Sequence, residues 1–403
     1  MRILQVHNRY LAGLGGEDTV VRLEADLLSS HGHEVREVLV STSELQGAGT
    51  VRLLISGALS VWSTKGFQLV ANAVHEFRPE VVHVHNTFPL LSPSVYYAAR
   101  RNGSCVVQTL HNYRIACANG LLLRNGIPCE DCVGRAKWRG LARRCYGGSI
   151  GISTSVVTIQ TAHRIANTFR NQVDAYIALT SFQRDIMIRD GLPEDRVHVK
   201  PNFMPRIVEA TERIMRKRQL VYVGTINEAK GTDLLLKAWA RVRPQGFSLV
   251  LLGDGTHKER LMRQYETDHS VVWMGFRPSA EVTRTLAESR YIAICSRWYE
   301  GFPMVLLEAL SVGTPAIAPD HAAFPEILER GRCGILFDPS NIDSLSSALR
   351  LATSDREDTW QLHSDAAFAK AHDFSADANY IRLAEIYASA QEHYFRTEGH
   401  RRR

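Results

Sequence analysis

The sequence predicts an α/β protein made of two doubly wound halves, each with a parallel sheet. Three observations carry this. Short apolar runs alternate with amphipathic helical stretches along the chain. The alternation breaks once, at a polar, basic run over residues 204–218, and then restarts. The chain has 403 residues, more than one ordinary core organises, so two domains are expected.

In the first half, strands are expected at 3–7, 35–40, 81–85, 105–110, 175–179 and 197–200. A glycine-bearing loop follows the first strand. A helix is then expected over 18–30, where Val20, Val21, Leu23, Leu27 and Leu28 recur. Ser181 reads as the N-cap of a helix starting at Phe182. In the second half, strands are expected at 220–223, 248–252, 271–274, 291–295 and 315–318, with a helix over 232–241. A final amphipathic helix runs from 376 to about 396. The expected division is 1–204 and 205–375, with an insert over 112–150 in the first domain. In such folds ligands sit beyond the carboxyl ends of strands, and the polar and glycine motifs of this chain fall there.

Composition narrows the class. Hydrophobic residues make up 45% and charged residues 22%, as in soluble globular proteins. No apolar run approaches the length of a spanning helix. The first residues read as a strand rather than a signal peptide, so the expected location is cytoplasmic, with contact at the inner face of the membrane. The formal charge is +6, and two basic clusters stand out. One holds Arg135, Lys137, Arg139, Arg143 and Arg144; the other holds Arg206, Arg213, Arg216, Lys217 and Arg218. They read either as solvated surface or as attraction to anionic lipid headgroups or acceptor phosphates. No nucleic-acid-binding module accompanies the charge. The terminal Arg401-Arg402-Arg403 is expected to hang free.

The most informative stretch is Glu300-Gly301-Phe302-Pro303-Met304-Val305-Leu306-Leu307-Glu308. One carboxylate falls at a strand–helix turn, and a second about two helical turns later, inside an apolar helix where an unpaired charge is expensive. The backbone at Met304 and Val305, at the helix N-terminus, suits a pyrophosphate. A carboxylate on that turn suits sugar hydroxyls, from which it accepts hydrogen bonds. Without a ligand, both glutamates read as ordinary helix-surface residues.

Other motifs accompany this one in order: Gly15-Gly16-Glu17, Thr109-Leu110-His111, Pro201-Asn202, Val223-Gly224, Lys230-Gly231, Gly253-Asp254-Gly255 and Gly275-Phe276. The series resembles that of the family 4 glycosyltransferases, retaining enzymes of the GT-B fold, over roughly residues 1–390. The resemblance implies two Rossmann-like domains facing a cleft, with the last helix crossing back onto the first. It implies transfer of a sugar from a UDP- or GDP-sugar donor to a glycan or lipid-linked glycan, in polysaccharide or glycoconjugate biosynthesis. The catalytic set it implies is Glu300, His111 and Lys230, with Lys230 on the leaving diphosphate and Glu300 orienting the donor sugar. Donor contacts would come from Gly15, Gly16, Gly224, Gly253, Gly275, Phe276, Phe302, Pro303, Met304, Val305 and Glu308. Glu17 would lie towards the acceptor, and His111 would touch donor sugar or phosphate. No catalytic metal is implied, and the sequence shows no Asp-x-Asp pair to hold one. Two positions depart from the pattern: Thr225 stands where the family usually has arginine, and Pro303 where it has glycine. The rival readings are a nucleotide-sugar epimerase of similar shape and a catalytically silent glycan-binding relative.

Four of the seven cysteines fall in the insert: Cys117, Cys129, Cys132 and Cys145. Cys129 and Cys132 have the C-x-x-C spacing of zinc ligands. The four read as a structural zinc site stapling a loop-rich segment, or as four reduced thiols.

Overall fold

The computed structural model describes residues 1–9, 15–41, 61–207, 215–354 and 356–401. Gly13, Leu14, Arg213, Arg402 and Arg403 lie outside the described residues. The chain divides into two compact units. The first comprises 1–122, 130–202 and 377–403; the second comprises 123–129 and 203–376.

The first unit holds β1 (Arg2–Arg9), β2 (Glu34–Ser41), β3 (Val81–Asn86), β4 (Cys105–Leu110), β7 (Ala175–Ala178) and β8 (Val197–Val199), while β5 (Leu123–Arg124) and β6 (Ile127–Pro128) form a short antiparallel hairpin in the second. The first unit's strands form a parallel sheet in the order β2-β1-β3-β4-β7-β8. Its strands are apolar runs because both faces are covered. Ile3, Val81, Cys105, Val107 and Ile177 pack against Leu28 on one side of the sequence and Leu383, Ile386, Tyr387 and Ala390 on the other. Those last four lie on the helix Ala376–Arg401, so that helix belongs to the first unit from residue 377 onwards.

Asp174, immediately before β7, fixes this helix to the sheet. Its carboxylate accepts from Arg100 Nη1 at 2.5 Å, from the Val106 amide at 2.9 Å and from His393 Nδ1 at 2.9 Å.

The second unit holds β9 (Lys217–Val223), β10 (Ser248–Leu252), β11 (Val271–Gly275), β12 (Ser289–Ala293), β13 (Ala316–Pro319) and β14 (Gly334–Phe337). Their order is β11-β10-β9-β12-β13-β14, all parallel. In the helix Thr232–Val242 the buried residues Leu235, Leu236 and Trp239 repeat at helical spacing and meet Leu220, Leu249 and Leu251. Trp239 buries its ring and donates Nε1–H to Ser270 Oγ at 2.9 Å, which satisfies the indole's polar atom.

In each sheet the strand order reverses once, between β1 and β3 in the first and between β9 and β12 in the second. At a reversal the flanking connections leave in opposite directions, and a crevice opens at the carboxyl ends.

Three local expectations shift. The helix expected from Phe182 spans Ser181–Arg189, and its N-cap is Thr180, whose Oγ1 accepts from the Gln183 amide at 3.3 Å. The strand expected to reach 295 ends at Ala293, which leaves Cys295 and Ser296 in the crevice loop. Residues 123–129 of the insert group with the second unit, so the insert is divided between the two units.

Asp174→Asn takes the buried carboxylate from Arg100 and His393 and leaves Arg100 only the partly exposed Glu398, at 3.1 Å, so a loss of about 3 kcal/mol is expected. Urea unfolding of the variant measures it. A shift below about 0.5 kcal/mol, the size of an ordinary surface change, would show that the helix docks without this pair.

Candidate functional site

In the second unit two chain segments meet at the sheet reversal. The segment leaving β9 passes through Gly224 and Lys230 into the helix Thr232–Val242. The segment leaving β12 passes through Ser296 and Glu300 into the helix Met304–Ser311. Their backbones approach too closely for side chains. A Cβ on Gly231, at φ 67°, would lie 1.9 Å from the Cys295 carbonyl oxygen. One on Gly253, at φ 140°, would lie 1.9 Å from that of Gly224. Backbone bonds lace the loops: the Gly224 amide donates to Leu252 O at 3.0 Å and the Gly253 amide to Gly275 O at 2.8 Å.

Within this frame Lys230 Nζ donates to Glu300 Oε1 at 2.6 Å, and Ser296 Oγ donates to the same oxygen at 2.6 Å. Glu300 is 5% exposed, whereas the Lys230 side chain is 30% exposed and lies 5.3 Å from the centre of the Trp298 ring. The Lys230 amide is held by Asn227 Oδ1 at 2.9 Å, and the His321 ring meets Ser296 O at 3.2 Å. The helix Met304–Ser311 follows Pro303 as N-cap. The amides of Leu306 and Leu307 return to Pro303 O, while those of Met304 and Val305 have no partner among the described residues. Glu308 lies one turn into this helix, and its carboxyl has no hydrogen-bond or ion-pair partner among the described residues. Burial alone pushes its pKa up to about 7. The arrangement offers open amides, one cation and one underused carboxyl, a set suited to a phosphorylated ligand bearing hydroxyls.

The other expected donor residues separate. Phe276 is 61% exposed beside Gly275, so its ring is open to a planar ligand. The Phe302 side chain is buried against Phe374, ring centres 5.2 Å apart, and covers apolar surface behind the helix N-terminus. Arg277, which follows Phe276, pairs with Glu281 at 3.0 Å on the surface. Thr225 is exposed, and its carbonyl accepts from Tyr222 OH at 2.8 Å.

In the first unit Gly15 is the N-cap of the helix Gly16–Ser30. Glu17 on its first turn accepts from Asn112 Nδ2 at 3.2 Å and Asn86 Nδ2 at 3.4 Å. Burial raises its carboxyl above the ordinary value, against the Asn112 hydrogen bond. Asp18 meets His7 Nε2 at 2.9 Å. His111, just past β4, meets His85 Nδ1 through its own Nε2 at 3.0 Å. Both line a cavity with Asn86, Phe88, Asn112 and Ile159. Sequence reading missed Ser296 and His321, and also Glu24, His83, His85 and Lys200, which lie buried behind His111. A signal for the last group was present: Glu24 shares the buried face of its helix with Val20, Val21, Leu27 and Leu28, where an apolar residue is expected.

The four insert cysteines do not form a three-ligand group among the described residues. Among the described residues no three of their sulfurs, alone or with neighbouring His, Asp or Glu, lie within 4.8 Å of one another. Cys117 is buried with Sγ 3.0 Å from Asn119 Oδ1, and Cys129 falls in the second unit's share of the insert. The cation at the centre of the insert is instead Lys137, whose Nζ donates to Ala116 O at 3.0 Å, Cys132 O at 2.8 Å and Asp190 Oδ1 at 2.5 Å. Lys137 therefore leaves the first basic cluster for the interior, and Arg139 and Arg143 both bond to Asp131. In the second cluster Arg216 is structural: it donates to Leu286 O, Ser289 O, Val312 O and Thr314 Oγ1. Lys217 pairs with Glu288.

Two expectations follow from this geometry. Lys137→Met leaves the buried Asp190 carboxylate only the Gly134 amide at 2.9 Å and the more distant Arg164 at 3.4 Å, and should cost about 3 kcal/mol, read from the denaturation midpoint. Glu308 behaves oppositely. Its folded pKa is raised from 4.5 to about 7, so stability held below pH 4.5 is lost as pH rises through 7. Glu308→Gln should thus stabilise the protein by about 2–3 kcal/mol at pH 8 and by little at pH 4, as measured by calorimetry at the two values.

Comparison with known proteins agrees with this architecture. Residues 15–202 match the model described as "Glycosyl transferase 4-like domain", and residues 204–367 match "Glycosyl transferases group 1". The chain is 32% identical over 181 residues to the colanic acid biosynthesis glycosyltransferase WcaL of Salmonella typhimurium, which covers 42% of this chain and 44% of that one. It spans about half the length, or less, of the first curated relatives it matches. Among solved structures it resembles the sucrose-phosphate synthase of Thermosynechococcus elongatus, with a TM-score of 0.72, 15% identity, and coverage of 96% of this chain and 98% of that one. It also resembles Anabaena HepE in complex with UDP, with a TM-score of 0.66, 18% identity, and coverage of 96% and 100%. With both family models matched in tandem and two parallel α/β sheets of this kind, the chain belongs to the family 4 glycosyltransferases of the GT-B fold.

Proposed function

We propose that the chain is a retaining hexosyltransferase that takes a UDP- or GDP-sugar and passes the sugar to a glycan or lipid-linked glycan in polysaccharide biosynthesis. One observation carries the reading: open amides at Met304 and Val305, the Lys230–Glu300 pair and the partnerless Glu308 carboxyl converge on the reversal of the second sheet. The diphosphate takes the amides and Lys230, and Glu308 takes the ribose diol. HepE, solved with UDP, supports a nucleotide in such a fold.

As the bond between sugar and diphosphate breaks, negative charge grows on the leaving phosphate and Lys230 stabilises it. Glu300, released from Lys230, orients the sugar. By family resemblance the acceptor hydroxyl attacks from the face the diphosphate leaves, and a phosphate oxygen takes its proton. Glu17, with Asn86 and Asn112, belongs to the acceptor side. No described helix is long and apolar enough to cross a membrane. Peripheral contact is proposed through Trp138, Ile150 and Ile152, which are 59%, 53% and 37% exposed in or beside the basic insert.

Glu308→Ala should weaken binding of the cognate nucleoside diphosphate about ten- to a hundredfold by calorimetry, for a loss of roughly 1.5–3 kcal/mol. Lys230→Ala and Glu300→Ala should each remove most turnover from a protein of unchanged circular dichroism, and a chelator should leave the rate intact. Turnover surviving both substitutions within a few-fold would sink the assignment. Nucleotide binding without turnover in the unaltered protein would favour the silent relative, for which Thr225 and Pro303 already speak.

A further inference from the structure

The first unit holds a further cavity at the end of its sheet opposite His111. Arg100 and Arg170 enter it from the segments that lead into β4 and β7, and Arg196 directly precedes β8. These are amino ends of parallel strands, whereas His111 follows the carboxyl end of β4. His393 and Arg396 close the cavity from the helix Ala376–Arg401. Its volume is about 540 Å³, within the range of small-molecule sites. No acidic side chain is among the described residues that line it.

The arginines here differ in how their charge is matched. Arg100 lies at the back, 6% exposed, and its charge is met. Its Nη1 donates to Asp174 Oδ1 at 2.5 Å, and its Nη2 donates to Glu398 Oε1 at 3.1 Å and Thr397 Oγ1 at 3.2 Å. His393 Nδ1 draws on the same Asp174 oxygen at 2.9 Å, so these carboxylates are already committed. Arg196 is half-buried, and the hydrogen bond it makes runs from Nη1 to Val173 O at 2.8 Å. It has no ion-pair partner among the described residues. Burial lowers its pKa from the ordinary value; Asp195 and Asp174 oppose this from a distance, and Arg170 adds to it. Arg170 is exposed at the rim, and its side chain has no hydrogen-bond or ion-pair partner among the described residues. Two like charges thus lie near one another, one of them partly desolvated, without the counter-charge that a buried cation asks for.

We propose that this cavity binds the phosphate of a soluble phosphorylated small molecule, clasped between the Arg196 and Arg170 guanidinium groups. A guanidinium presents its N–H donors as a planar fork that matches two phosphate oxygens. Arg196 spends one donor on Val173 and keeps the others for a ligand. A phosphate also supplies the missing negative charge, which a neutral sugar or an apolar group does not. The recess favours a free molecule over a membrane, because a headgroup held in a bilayer meets protruding side chains rather than a half-buried one. No residue of this cavity lines the one beside His111 or belongs to the second-unit crevice, so the proposal stands apart from the transferase reading.

The test is calorimetric titration of the full chain with inorganic pyrophosphate, carried out in Lys230→Ala so that the diphosphate site of the second unit contributes least. One saturable site should remain. Adding Arg170→Gln should weaken it about tenfold, the size of one charge-assisted contact. Adding Arg196→Gln as well should remove it. Arg350→Gln, at an exposed position of the second unit, should leave it unchanged. Arg170 makes no side-chain hydrogen bond or ion pair among the described residues, so its substitution tests the site even where the Arg196 variant fails to fold. Absence of a saturable site, binding that Arg170→Gln leaves intact, or equal loss in Arg170→Gln and Arg350→Gln overturns the proposal. So does sedimentation with vesicles of phosphatidylcholine and phosphatidylglycerol that falls with Arg170→Gln while pyrophosphate binding does not, since the phosphate is then a lipid's. Binding is followed through Arg170 and not through turnover, so a failed transferase assay and a failed anion site remain distinct results.

Discussion

A buried carboxylate must be matched by a cation, and the two units each show such a match beside their candidate site residues. In the second unit Glu300 is matched by Lys230; in the first, Glu24 is matched by Lys200. Removing either lysine leaves a desolvated charge, which is costlier than losing one hydrogen bond. The two pairs differ in access. The Lys230 side chain is 30% exposed, so an incoming anion can reach it and take it from Glu300. The Lys200 side chain is 2% exposed and held by Asn379 as well, so its charge is committed to the interior. The first arrangement suits a ligand site; the second suits a fixed electrostatic floor under His111.

Placement of the exposed pair follows from backbone contact. Gly231 rests against the Cys295 carbonyl and Gly253 against that of Gly224, so the loops after β9, β10 and β12 meet without side chains between them. That contact holds Lys230 and Glu300 at 2.6 Å although they lie far apart in sequence. The same frame explains why Pro303 is tolerated: its carbonyl receives the amides of Leu306 and Leu307, and its missing N–H lies at a position that a helix start leaves unpaired anyway.

The cysteine-bearing insert contains a central tie made by a side-chain cation. A loop-rich segment with little core needs a central tie, and C-x-x-C spacing suggests a metal. An ammonium makes one such tie. Lys137 reaches two carbonyls and a carboxylate, burial lowers its pKa, and Asp190 opposes that lowering. The same fact reduces the basic patch available to an anionic surface, since the residue at its middle points inward.

The sequence by itself determined the elements and the nature of the second-unit site. Apolar runs located the strands because a parallel sheet covered on both faces needs continuous hydrophobic segments. Glycine before helices located the crevice loops, and Glu308 was marked by standing in an apolar helix. These are local signals, readable from spacing alone. The tertiary structure decided what depends on pairing across distance. It packed Phe302 on Phe374, set Arg216 over the carbonyls that end two helices, and brought no three insert cysteines within ligand distance of one another among the described residues. Above all it gathered Glu24, His83, His85, Lys200 and Asn379 from separate elements into one buried set. No spacing rule could have joined them, because the energy of a buried charge is fixed by which opposite charge the fold brings within about 3 Å, and that partner is chosen by topology rather than by neighbours in sequence.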